Sequence, residues 1–107
     1  MDFDALEVKI IPHMKGGKGV ARCQVIDDGL NKIMRAVLDP GCSIGYHQHT
    51  DSSEICFILQ GEASCILDGR EETLKAGEVH YCPKGSFHSM ENKGTLPLVS
   101  IDVVPKQ

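Results

Sequence analysis

An all-β fold, a sandwich or barrel of short strands, is what this 107-residue sequence predicts. Hydrophobic residues alternate with a period close to two. Turn-forming residues break the alternation every eight to twelve positions, and no long stretch carries a helical period.

Taken in order, Met1 to Leu6 offers at most one turn of helix. Glu7 to Ile11 alternates and is expected to stop at Pro12. Met14-Lys-Gly-Gly-Lys-Gly19 lacks the Gly-Lys-Ser/Thr ending of a phosphate loop and reads as a mobile connection near the barrel mouth. Val20 to Ile26 ends on Asp27-Asp28-Gly29, and Lys32 to Leu38 ends on Asp39-Pro40-Gly41. A segment through His47 and His49 follows. Glu54 to Gln60 ends at Gly61, and Ala63 to Leu67 runs into the hairpin signal Asp68-Gly69. Glu71 to Lys75 returns to Ala76-Gly77, Val79 to Cys82 ends at Pro83-Lys84-Gly85, and Phe87 to Glu91 and Leu98 to Val104 complete nine or ten strands. The length fits one domain spanning residues 1–107.

Fifteen acidic against eleven basic residues give a net charge of −4, which disfavours nucleic acid and anionic membrane as partners. No apolar run approaches membrane-spanning length. The first six residues are acidic rather than basic then apolar, so no signal peptide is expected. Five cysteines, an odd number without a C-x-x-C pair, argue against both a disulfide framework and a zinc knuckle. Free thiols in a reducing cytoplasm are the expectation.

The chemistry lies in two spaced motifs. In an extended strand His47 and His49 share a face, about 7 Å apart. Glu54, on the next strand roughly 5 Å away, is placed to reach the same ion. In the first motif Gly41 is followed by five residues, His47-x-His49, four residues, Glu54, six residues and Gly61. In the second, Gly77 is followed by five residues, Pro83-x-Gly85, two residues, His88, three residues and Asn92. Fifteen residues separate the motifs, which span residues 41–61 and 77–92.

This arrangement resembles the cupin superfamily at every defining position of both motifs. The resemblance implies a small antiparallel β-barrel or jelly roll, with His47, His49, Glu54 and His88 as metal ligands at its mouth. It assigns structural roles to the motif glycines, to Pro83 and to Asn92. Three imidazoles and a carboxylate are poor ligands for magnesium or calcium, which prefer oxygen shells. Iron(II) or manganese(II) is favoured, and zinc, nickel, cobalt or copper could occupy the same donors.

If Glu54 points inward, so do Cys56 and Ile58, and Met90 accompanies His88. The expected cavity is therefore mostly apolar and suited to a small organic ligand. Cys56 reads mainly as a buried hydrophobe near the ion. Glu78 and His80 are candidates for moving a proton, His80 having a surface role as its alternative, and no catalytic residue beyond the metal ligands is assigned. The function expected is a small-molecule metalloenzyme of dioxygenase or oxidoreductase type. The alternatives are a metal-dependent isomerase or lyase, and a non-enzymatic small-molecule or metal-sensing barrel. A homodimer is expected, paired through Leu98 to Val104 or Val8 to Ile11 as edge strands.

Overall fold

A computed structural model describes residues 1–107. It contains ten strands: β1 (Lys9–Pro12), β2 (Val20–Asp27), β3 (Asn31–Leu38), β4 (Ser43–Gln48), β5 (Glu54–Gln60), β6 (Glu62–Leu67), β7 (Arg70–Lys75), β8 (Val79–Cys82), β9 (Phe87–Glu91) and β10 (Leu98–Pro105). Short 3-10 turns at Phe3–Ala5 and Met14–Gly16 are the helical elements. No helix is long and apolar enough to cross a membrane.

The strands form two sheets, β1-β2-β3-β10-β5-β8 and β4-β9-β6-β7, in which every pairing is antiparallel. Two such sheets, joined by chain crossovers, make a jelly roll. Their facing sides bury Ala21 and Cys23 from β2, Leu38 from β3, Ile58 from β5, Cys65 from β6 and Leu98 from β10, among others. Cys23, Cys56 and Cys65 all belong to this core, and all five cysteines are free. Burial pushes the Cys23 thiol up to about 11 and the Cys65 thiol to about 12, so both are inert hydrophobes rather than nucleophiles.

β1 ends at Pro12, as the sequence suggests, with Pro12 itself as its last residue, opposite Val20. An edge strand tolerates a proline because the missing N–H removes no bond from a second neighbour. Leu98 to Val104 is not an edge, since β10 lies between β3 and β5 with a ladder on both sides. The glycine-rich connection is not free of the fold. His13 N–H donates to Gly19 O (2.8 Å) and Ser43 N–H to Lys18 O (2.9 Å). A Cβ on Gly45 would stand 2.0 Å from the Lys15 carbonyl oxygen, so glycine there lets the Met14–Gly16 turn lie directly on β4.

Candidate metal centre

β4 and β9 are neighbours, and their register sets His47 directly opposite His88. Strict alternation from Ile44 would turn His47 outward. The register shift between Ile44 and His47 instead points both residues inward, as a β-bulge does. The turn after β8 is tied to the same strand end. Gly85, at φ +89°, donates its N–H to His49 O (2.6 Å), while Gln48 Nε2 donates to Gly85 O (3.0 Å). Gly85 thereby fixes the approach of His88 to His49.

Glu54 does not come from the strand beside the histidines, as the sequence suggests. It opens β5, in the other sheet, and reaches them across the interior. The four side chains meet at their tips. His49 Nε2 lies 3.3 Å from His47 Nε2, 2.9 Å from His88 Nε2 and 2.9 Å from Glu54 Oε1, and His88 Nε2 lies 3.1 Å from the same oxygen.

The far side of each ring decides what these tips carry. His47 Nδ1 faces Gly45 O at 2.7 Å, an acceptor only, so Nδ1 holds the ring proton. His49 Nδ1 meets Ser52 Oγ at 3.1 Å. His88 Nδ1 lies 3.0 Å from His80 Nε2, and His80 Nδ1 donates to Glu72 Oε1 at 2.5 Å. Burial outweighs the Glu72 bond and lowers the His80 pKa, favouring the neutral ring whose Nε2 accepts from His88 Nδ1. Burial likewise lowers the His47 pKa. The Nε2 atoms of His47 and His88 therefore present lone pairs towards His49 and the Glu54 carboxylate.

One proton on His49 satisfies one of these acceptors. A divalent ion satisfies all four donors at once. Donors about 2.1 Å from an ion and at right angles to each other lie about 3.0 Å apart, and the separations of 2.9–3.3 Å match that spacing. The donor set fits a transition ion. For Glu54, burial opposes ionisation, but the His49 and His88 rings beside it outweigh burial and hold the carboxyl well below the usual range. The Cys56 thiol donates to the other carboxylate oxygen, Oε2, at 3.4 Å. Burial and the nearby Asp102 and Glu54 charges push that thiol well up, so Cys56 orients Glu54 as a thiol.

The Glu72–His80–His88 chain is a set of supports behind one ligand, of the kind that orients metal-bound imidazoles. His80 is fully buried, which removes its expected surface alternative. Replacing it, as His80→Leu, is expected to weaken metal binding about 10- to 100-fold in chelator competition. Unchanged affinity would leave the chain of bonds without a role.

A cavity of about 300 Å³ adjoins the cluster. Cys56 and Met90 line it, as side-chain parity predicts, but Ile58 lies in the core and Ile44, Met34 and Val104 supply the aliphatic wall. Sequence reasoning missed Lys15, Lys32 and Asp102, all of which line the cavity. Burial first, and the Glu54 charge second, push the Asp102 carboxyl up to about 7.

A sequence model of the cupin domain family matches residues 34–104, about two thirds of the chain. The chain belongs to the cupin family. This cupin is 33% identical over 100 residues to the oxalate-binding protein of Thermotoga maritima, covering 88% of the chain and 83% of that protein. It is also 33% identical over 94 residues to mannose-1-phosphate guanylyltransferase 2 of Escherichia coli O157:H7, covering 87% of the chain but only 20% of that much longer enzyme. Among solved structures, one described as a predicted oxalate decarboxylase from Thermotoga maritima superposes with a TM-score of 0.93 at 29% identity, covering 99% of this cupin and 97% of that chain. The cupin domain of Schizosaccharomyces pombe Cnp3 superposes with a TM-score of 0.82 at 11% identity over 99% of the chain and 72% of its own, a likeness of fold alone.

Proposed function

We propose that His47, His49, Glu54 and His88 hold one divalent transition ion, iron(II) or manganese(II) before zinc, nickel, cobalt or copper. We further propose that a small organic acid binds beside it and undergoes oxidoreductase chemistry of the dioxygenase type. The convergence of four donor atoms, with ring protons directed away at His47 and His88, carries this reading. Such an ion supplies Lewis acidity and, if iron, one-electron chemistry. The chain's own residues would do the rest. His80 and Glu72 hold the His88 ring, Cys56 holds Glu54, and Met34, Ile44 and Met90 restrict water around the ligand. Lys15 and Lys32 on the cavity wall favour an anion. The Thermotoga relatives, named for oxalate, support a small carboxylic acid.

Binding without turnover is the second reading, supported by the Thermotoga protein's description as oxalate-binding. Anaerobic loading with iron(II), followed by assays of oxygen uptake and carbon dioxide release with small acids, thiols, diketones and phenolics, separates the two. Uptake with an acid is expected. Carbon dioxide release without oxygen uptake would make the protein a lyase, and tight binding with neither signal would make it a binding module.

The homodimer is retained as part of this proposal, on a different surface. Near the site, β5, β8 and β10 turn Glu54, His80 and Asp102 inward and the large apolar Phe57, Val79, Tyr81 and Ile101 outward. Phe57, Val79 and Tyr81 are 43–50% exposed on one sheet face, a patch suited to a second copy of the same face. Light scattering is expected to give the mass of two chains, and the mass of one would overturn the pairing.

A further inference from the structure

Asp102 is a buried carboxyl group that neither the fold nor the four-donor cluster uses. Paired between Met34 and Cys56 in the β10 ladders, it is 1% exposed and lines the cavity. Its Oδ1 has no hydrogen-bond partner. Ser100, Cys56 and Lys32 ease the carboxyl in part, but none of them donates to Oδ1. Glu54 is a second carboxylate, within 4.8 Å at the ligand atoms, and the single hydrogen of the Cys56 thiol is directed to Glu54 Oε2. A buried carboxylate oxygen without a donor is destabilising, and a fold does not retain one for packing. What is missing is a hydrogen-bond donor, and the cavity is where a ligand would bring it.

We propose that Asp102 determines ligand specificity by accepting a hydrogen bond from a hydroxyl of the bound acid, so that the pocket favours small hydroxy acids over dicarboxylates of the same size. This rests on the reading that a small carboxylate binds beside the metal, and it narrows that class. A dicarboxylate dianion brings only acceptor oxygens towards Oδ1, and like charge with them. A hydroxy acid offers its carboxylate to the ion and the lysine side of the cavity, and its O–H to Asp102. The selection is by an unpaired polar group, which discriminates more sharply than an apolar wall does.

The test uses the full chain loaded with manganese(II), titrated with glycolate and with oxalate by calorimetry at pH 8.5, in unaltered, Asp102→Asn and Asp102→Leu forms. Both substitutions are expected to leave metal content at one ion per chain. They are expected to lower the glycolate-to-oxalate affinity ratio by at least about 10-fold, the loss of one hydrogen bond to a charged group. The ligand-free melting temperature is expected to hold or to rise by about 5 °C, because an unpaired buried charge has gone. An unchanged ratio, or equal weakening of both acids, overturns the role of Asp102 and leaves the small-acid reading standing. Metal-loaded, unaltered chain that binds neither acid overturns that reading and the inference with it. An Asp102→Asn chain that unfolds or sheds its metal makes the carboxyl structural and also overturns the inference.

Discussion

His49→Ala is expected to bind manganese(II) or iron(II) at least about 100-fold more weakly than the unaltered chain, and to purify nearly free of metal. His49 Nε2 lies 2.9–3.3 Å from the donor atoms of His47, His88 and Glu54, so its loss opens the cluster at its middle. The fold is expected to survive. His49 lies at the rim just beyond β4, and its backbone bond to Gly85 does not depend on the side chain. Thermal unfolding gives the control. An ion present at 100 times its dissociation constant adds about 2.7 kcal/mol of stability, which shifts the melting point of a domain this size by roughly 10 °C. Added metal should produce that shift in the unaltered chain and none in His49→Ala. A full equivalent of metal in the variant would remove His49 from the ligand set.

Asn92→Ala is expected to cost about 2–3 kcal/mol. Asn92 is fully buried at the end of the second motif. Its Nδ2 donates to Leu38 O and to Leu96 O, both at 2.8 Å, and its Oδ1 accepts from Gly94 N–H at 2.9 Å. Those three bonds fasten the end of β3 to the loop that leads into β10. Alanine leaves the buried Leu38 carbonyl without a partner, at about 1–2 kcal/mol, and returns the part-buried Leu96 carbonyl and Gly94 N–H to partial solvent at a smaller cost each. Set against a typical total stability of about 5–15 kcal/mol, the loss should lower the melting point by about 10 °C or more. Asn92→Asp should do no better, because the carboxylate faces two carbonyl oxygens and has no donors to offer. Denaturant titration showing a loss under about 1 kcal/mol would contradict this account of the second motif.

Strand positions were legible because most runs stop at a strong turn signal such as Asp27-Asp28-Gly29 or Asp68-Gly69, and every strand but β4 lies within two residues of an alternating run. The four residues of the cluster were legible through the resemblance to the cupin motifs, and the structure brings their ligand atoms together. Which strands neighbour one another was not legible. The sequence puts Glu54 next after His49, yet the loop between them carries the chain to the opposite sheet, and local periodicity holds no record of that. Parity counting also fails across the bulge in β4, where one extra residue turns both Ile44 and His47 inward.

The least legible group was Asp102. Ordinary alternation would put Ser100 and Asp102 of β10 towards water, but in the structure they are buried, while Val99, Ile101 and Val103 lie on the half-exposed outer face. An inverted alternation is a signal in its own right. It marks a polar cavity on the inside and an apolar surface on the outside, and both features enter the proposed function.

The account rests on a mononuclear centre of three imidazoles and one carboxylate, and X-ray absorption spectroscopy of the manganese- or iron-loaded chain tests it most directly. The prediction is one ion per chain, with three imidazole nitrogens and carboxylate oxygen at about 2.1 Å and no sulfur. Fewer than three imidazoles, or a sulfur scatterer at about 2.3 Å that would bring Cys56 into the shell, would contradict it.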